Sequence, residues 1–208
     1  MQQIGSRELA QYLHGKFDWL KTYIKSHPLP DIFSAPHIDP KMRATEAAKL
    51  VLPVLKNPKG LILMRQSIYR NTKTIPIPPE AHAYSLADSA HPMLFINAQQ
   101  NLEEQTQLFL IGIIRLMMDM DGFYASIFDS SIKESYAEKV YYEVRELVGS
   151  EEFLKPVREN DVLREREDSL GALFLQAVSN AVYEGKLSNR EAADLIDVSE
   201  RTLVSLFP

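Results

Sequence analysis

The chain has 208 residues, of which 45% are hydrophobic and 25% are charged. This length suffices for one substantial core, and no apolar stretch approaches the length that spans a bilayer, so we expect a soluble protein that makes no membrane contact. The absence of cysteine excludes disulfides, thiolate metal sites and cysteine nucleophiles. The polar N-terminus lacks the apolar stretch of a secretory signal, which predicts a cytoplasmic location.

The net charge of −5 is unevenly distributed along the chain. Residues 1–73 hold 12 Lys and Arg against 5 Asp and Glu, whereas the remainder holds 11 against 23, so the two parts carry +7 and −12. The basic part could bind phosphate, or the two parts could pack against each other. Composition leaves both interpretations open.

The first half of the chain predicts helices around a small sheet. Apolar residues recur at helical spacing between Ser6 and Lys25, which predicts one or two short helices. A proline-rich stretch follows, and because proline donates no backbone hydrogen bond it predicts an extended linker. The remaining predictions are a helix over Thr45–Leu55, strands over Leu61–Arg65, Ser67–Tyr69, Tyr84–Leu86 and Met93–Ile96, and a loop at Ile75–Pro79.

From Asn101 onward the chain is predicted to be almost wholly helical. Asn101 with Glu104 is typical of a helix cap, and Ser131 with Glu134 forms an S-x-x-E capping box at the start of another helix. The remaining predictions are a solvated connection over 150–168 and helices over 169–183, 189–196 and 200–206, the last two capped by Ser188 and Ser199.

The segment Asp119-Met-Asp-Gly-Phe-Tyr-Ala-Ser126 is similar to acidic motifs of two enzyme classes. It resembles the D-x-D-x-F-Y-A-S of lesion-bypass polymerases, in which paired Asp residues hold magnesium, and the D-x-D-G of haloacid-dehalogenase-type phosphatases. The first class needs further acidic residues that are missing here, and Phe123 replaces the usual Thr of the second. We therefore interpret the segment as a helix C-terminus and turn, with Gly122 in the left-handed conformation.

Three segments together resemble a known family. Leu108–Met118 is similar to the helix F-T-L-A-H-E-L-G-H-L-L that bears the HExxH motif of the ImmA/IrrE metallopeptidases. Glu134, Ala137 and Val140 match the E-x-x-A-x-x-F pattern of that family's next helix. The segment from Glu184 to Ser199 is similar to the family's frequent C-terminal segment, E-G-x-I-S followed by R-A-A-E-L-L-x-V-S.

The resemblance covers roughly residues 44–208 and implies a division into three parts. These are a basic N-terminal helical segment with a proline-rich linker over 1–43, a degenerate ImmA/IrrE-like core over 44–150, and a helical C-terminal region over 151–208 with a helix-turn-helix-like end. The implied fold is α+β and predominantly helical. In this degenerate zincin-like arrangement a small β-sheet packs on two long helices, and the C-terminal region forms a helical cap.

The catalytic motif of this family is absent from the chain. Its chemistry needs two His one helical turn apart to bind zinc, and a Glu beside the first to take a proton from the bound water. Gly112, Ile113 and Leu116 stand at these positions. Glu134 falls where the family has its third ligand, but a single carboxylate does not hold zinc. The resemblance therefore implies a domain without peptidase activity, metal or other cofactor.

The function implied by the resemblance is binding rather than catalysis. It predicts a non-catalytic regulatory or protein-binding protein of the sort expected near prophage or mobile-element regulators, with its partner site near Gly112, Arg115 and Glu134. Because a buried arginine is costly, Arg115 should either reach solvent or pair with a carboxylate such as Glu134. A metallopeptidase with a metal site rearranged onto His82, His91 and Glu134 is an alternative.

A DNA-binding transcriptional regulator is the competing class. The C-terminal residues 184–208 have a helix-turn-helix-like pattern, but they carry five acids against three bases, and DNA phosphates would be repelled. At the N-terminus Lys16, Lys21 and Lys25 lie on or near the second helix of a similar pattern. These lysines could contact DNA, or the basic segment could dock onto the acidic body.

Overall fold

A computed structural model describes residues 6–28, 32–56, 58–59, 61–66, 82–88, 91–97, 100–124, 132–148, 172–196 and 198–207. The predicted strand 67–69, loop 75–79 and connection 150–168 lie outside these residues. Within them the fold is α+β and mostly helical. The elements in chain order are α1 (Ser6–Ser26), α2 (Ala44–Lys56), β1 (Ile62–Gln66), β2 (Ala83–Leu86), β3 (Met93–Asn97), α3 (Leu102–Met117), β4 (Gly122–Tyr124), α4 (Ile132–Val148), α5 (Ala172–Tyr183), α6 (Asn189–Leu195) and α7 (Glu200–Leu206).

The four strands form one small sheet in the order β1-β3-β2-β4. β1 runs parallel to β3, whereas β3, β2 and β4 are antiparallel in turn. Because successive side chains of a strand point to opposite faces, β3 places Leu94 and Ile96 on one face and Met93 and Phe95 on the other. All four side chains are buried, so both faces of the sheet are covered.

The first face is covered by α2, α3 and α4, whose apolar residues surround Leu94 and Ile96. Every residue of α3 from Leu108 to the end of the helix at Met117 is buried. A helix that is apolar on all sides belongs in the interior of a domain. The helix that resembles the HExxH helix is therefore a central element of the core.

The second face is covered by α1 and by the three C-terminal helices. α1 is a single helix of 21 residues. Its buried stripe, and the helices α5, α6 and α7, share one apolar cluster with Met93 and Phe95 of the sheet. The basic N-terminal helix and the C-terminal region consequently pack on the same side of the molecule. The α1 residues of this cluster are Leu13, Phe17, Leu20 and Tyr23.

The acidic segment after α3 is a turn that leads into β4. The helix ends as predicted, Asp119 follows it with φ of 52°, and Gly122 has the predicted positive φ. Gly122 has φ of 111° and begins β4. This strand was not predicted, because three residues are too few to show an alternating pattern. Pairing with β2 is what defines it.

The predicted helix caps that the structure describes are confirmed. The side chain of each capping residue accepts a hydrogen bond from the backbone N–H three residues further along the chain. The predicted box of Ser131 and Glu134 lies outside the described side chains. None of the described helices is long and apolar enough to cross a membrane. The confirmed pairs are Asn101 with Glu104, Ser188 with Glu191, and Ser199 with Thr202.

Candidate functional site

Gly112 marks a very close approach between α3 and the sheet. A Cβ atom at this position would lie 2.8 Å from both terminal methyl groups of Leu94, and closer still to the hydroxyl of Tyr124. That hydroxyl donates a hydrogen bond of 3.0 Å to the carbonyl of Leu108, which holds it against the helix. Leu94 and Tyr124 thus occupy the space that a side chain at position 112 would need.

The other two positions of the missing motif also face the core. Ile113 is fully buried and Leu116 is 5% exposed, and both belong to the cluster formed with α2 and α4. The face of α3 that would carry the zinc ligands in the ImmA/IrrE family is therefore packed against α2, α4 and the sheet. Within the described residues this face does not line an open cleft.

Arg115 is buried in the same helix, with only 2% of its surface exposed. Its Nε donates to the hydroxyl of Ser85 and its Nη2 to the carbonyl of Asp121, each over 3.2 Å. The guanidinium also lies 4.9 Å from the ring centroid of Tyr124, a cation–π distance. Arg115 therefore does not reach solvent. The side chain of Glu134 lies outside the described residues, so the Arg115–Glu134 pair stays a prediction.

The partners of Arg115 extend into a small polar network. The Ser85 hydroxyl donates to the carbonyl of Met120 over 2.7 Å, and the Asp121 carboxylate accepts from the backbone N–H of Ala87 over 2.5 Å. Burial raises the pKa of Tyr124, and this outweighs the opposing effect of the Arg115 guanidinium. The phenol therefore stays neutral and can donate. This network ties α3, β2 and the turn before β4 together.

Replacing Arg115 with methionine should lower the free energy of unfolding by about 2 kcal/mol. The lost hydrogen bonds from a charged donor are worth about 1.5–3 kcal/mol each, and relief from burying the charge offsets part of this. A double-mutant cycle with Ser85→Ala should give a coupling energy of about 0.5–2 kcal/mol in denaturant unfolding. Zero coupling would contradict the network, and the same cycle with Glu134→Gln tests the predicted ion pair.

The histidines of the alternative metal site have other surroundings. His82 Nδ1 lies 2.8 Å from the Glu104 carboxylate in the first turn of α3. His91 is buried, and its backbone N–H donates to Asp88 over 3.1 Å. Among the described residues no group of three His, Asp or Glu side chains could hold a metal ion. Since the Glu134 side chain is not among them, the rearranged site stays a prediction.

The three lysines of α1 do not form one exposed surface. Lys16 is 3% exposed and lies over the Tyr12 ring, 4.4 Å from its centroid, and burial lowers the pKa of Lys16 from 10.5 to about 7. Lys21 forms an ion pair of 2.8 Å with Asp88, and the hydrogen bond to Asp88 raises the pKa of Lys21. Lys25 is exposed. A phosphate could therefore reach Lys21 and Lys25 but not Lys16.

The C-terminal helix-turn-helix-like pattern forms two short helices, α6 and α7. Its small and apolar residues are buried against α1 and the second face of the sheet. The exposed side carries Glu191, Asp194 and Glu200 next to Arg190 and Arg201. This mixed and partly acidic surface does not favour DNA binding. The buried residues of the pattern are Ala192, Ala193, Ile196 and Leu203.

The fold thus defines a mostly helical α+β protein with helices on both faces of a small sheet. Comparison of the chain with protein-family models, curated proteins and solved structures gives no match. The resemblance to the ImmA/IrrE family therefore stays a prediction that depends on the motifs quoted above. The roles of Ser85, Leu94 and Tyr124 were not predicted. The only sequence signal was the glycine within the apolar helix α3.

Proposed function

We propose that this chain is a non-catalytic regulatory protein that binds a protein partner on a degenerate ImmA/IrrE-like scaffold, of the sort expected near prophage or mobile-element regulators. The packing at Gly112 is the main support. Leu94 and Tyr124 fill the space beside this position, so a zinc-binding histidine could not occupy it without displacing them. The proposal includes a cytoplasmic location and the absence of a cofactor.

The partner surface lies outside the core positions of α3. Gly112 and Arg115 are buried, so a partner cannot contact their side chains directly. The next helix, α4, exposes Tyr142 and Leu147, which are 52% and 51% accessible. Leu147 lies about 140° around the helix from Tyr142, so Tyr142 marks the outer side of α4, and tyrosine is enriched among residues that dominate binding energy. We place the partner contact on this outer side of α4.

A zinc measurement tests the non-catalytic part of the proposal. Purified full-length protein, dialysed against zinc and then against buffer, should retain substoichiometric zinc in mass spectrometry. It should also fail to cleave casein or a peptide library in the presence of zinc. The reason is that α3 supplies none of the ligands or the general base of the HExxH motif. Stoichiometric zinc with zinc-dependent cleavage would overturn the proposal.

Site-specific photo-crosslinking tests the partner surface. A photoreactive residue at position 142 should give a discrete protein adduct in cells of the organism that encodes the chain, and Glu146→Arg, one helical turn further along the same exposed side, should weaken it. The matched control carries the same residue at Gln11, an exposed position of α1, and should give none. Absence of an adduct from position 142 in correctly folded protein would remove the proposed partner contact on α4.

A further inference from the structure

Exposed basic side chains gather on α2 and on the turns at its two ends. Residues 41–59 contain five basic residues and one acidic residue, Glu46, for a net charge of +4. Glu46 forms an ion pair with Arg43. The other four side chains carry the remaining positive charge. The exposed basic residues are Lys41, Arg43, Lys49, Lys56 and Lys59.

Three of these lysines have no ion-pair partner within the described residues: Lys41, Lys49 and Lys56. Lys49 and Lys56 are seven residues apart, so they lie on the same side of α2 and about 10 Å apart along its axis. The opposite side of the helix is held in the core, which makes α2 a rigid support for these charges. Its buried residues are Ala47, Ala48, Val51, Val54 and Leu55.

The chemistry of this face favours phosphate over a lipid or a protein. A helix that binds a membrane surface inserts an exposed apolar side, and a protein interface centres on aromatic or aliphatic anchors. Among the described residues, the exposed large hydrophobic side chains all lie outside α2. Contact with a phosphate backbone needs only cationic side chains at suitable spacing.

The charges on neighbouring elements leave the α2 face positive. On α4, which packs beside α2, four glutamates and three basic residues add a net charge of −1, and the exposed Asp39 beside Lys41 adds another −1. The acidic C-terminal residues 184–208 belong to the helices on the other face of the sheet. These residues carry a net charge of −2 and pack beside α1, whose residues carry +2, so the other face is close to neutral and the α2 face is the more positive of the two. The charged α4 residues are Lys133, Glu134, Glu138, Lys139, Glu143, Arg145 and Glu146.

We propose that the outer face of α2 binds the phosphate backbone of duplex nucleic acid, with Lys49 and Lys56 as contact residues. With flexible side chains on positions about 10 Å apart, Lys49 and Lys56 can each reach a phosphate of one strand, since these phosphates repeat about every 3.4 Å along the duplex axis. Such contacts hold the duplex without reading its sequence. This activity goes beyond the protein-binding function proposed above, and it uses α2 in place of the α1 lysines.

A fluorescence-anisotropy titration tests the α2 face. Full-length protein is titrated into a labelled mixed-sequence duplex at several salt concentrations between about 50 and 200 mM, a range over which phosphate contacts weaken strongly. Each contact contributes about 0.9 to the slope of log affinity against log salt. The Lys49→Gln/Lys56→Gln variant should therefore lose about 2 from the slope and at least about tenfold in affinity at the lowest salt.

The matched control is Lys139→Gln/Arg190→Gln, which removes the same charge from exposed positions on α4 and α6. It should keep the slope of the unchanged protein. Equal losses in both variants would indicate a response to net charge alone and would overturn the proposal. Absence of duplex binding at the lowest salt, or tighter binding of polyglutamate than of the duplex, would overturn it as well. Circular dichroism verifies that each variant is folded.

Discussion

Substituting Gly112 with alanine should lower the free energy of unfolding by about 1–3 kcal/mol, the range for overpacked cores. In an exposed helix interior the same change stabilises by roughly 0.5–1 kcal/mol, because glycine loses more backbone entropy on folding. At position 112 the added methyl group would meet Leu94 and the Tyr124 hydroxyl. Both side chains must move, and movement of Tyr124 also breaks its hydrogen bond to Leu108.

The control for this measurement is Gly15, which lies within α1 and has no other atom within 4 Å of a Cβ built on it. Gly15→Ala should stabilise the chain by about 0.5–1 kcal/mol. Denaturant unfolding of the two variants should therefore show effects of opposite sign. Stabilisation by both substitutions would mean that the α3–sheet interface has room for a side chain at position 112, and would contradict the packing that excludes a zinc ligand there.

The same packing bears on attempts to restore the HExxH motif. A variant with Gly112→His, Ile113→Glu and Leu116→His places three polar side chains in a packed interior, and we expect it to lose cooperative folding rather than bind zinc. Adding Leu94→Ala and Tyr124→Ala creates space beside position 112. Recovery of folding together with zinc binding in this second variant would indicate that the side chains of Leu94 and Tyr124 are what excludes a zinc ligand from position 112.

Local patterns predicted much of the fold, and long-range contacts account for what they missed. The caps at Asn101 and Ser188 and the alternating strand β3 depend on a few neighbouring residues, so their signals are visible in the sequence. β4 depends on pairing with β2, which is far away in the chain. The network around Arg115 depends on that pairing too, because β4 and the preceding turn supply Tyr124 and Asp121.

The candidate DNA-binding lysines show the same limit. The predicted DNA contact by Lys16, Lys21 and Lys25 depends on their shared helix and their shared charge. Helical spacing alone places Lys16 between Leu13 and Leu20, one turn from each, and both of these leucines are fully buried. The spacing could therefore have predicted that Lys16 faces the core. The same helical spacing predicts that Lys49 and Lys56 are exposed, because they lie outside the buried apolar stripe of α2.

Replacing the buried Lys16 with methionine should stabilise the chain at pH 6 and change its response to pH. Burial lowers the pKa of Lys16 from 10.5 to about 7 in the folded protein. Below pH 7 the folded state must bury a charged ammonium group. A tenfold change in proton affinity is worth about 1.4 kcal/mol, so removing this charge should stabilise the chain by up to about 5 kcal/mol, as an order of magnitude, less the contribution of the lost contact with the Tyr12 ring.

The sign of the pH dependence follows from proton binding. Between pH 7 and 10.5 the unfolded chain keeps the proton on Lys16 and the folded chain does not, so the free energy of unfolding rises with pH. The advantage of Lys16→Met should therefore be constant below pH 7 and shrink as the pH rises toward 9. Exposed Lys25→Met serves as the control and should follow the unchanged protein. Parallel pH profiles for the Lys16→Met variant and the unchanged protein would show that Lys16 is solvated, which would make it available to phosphate again.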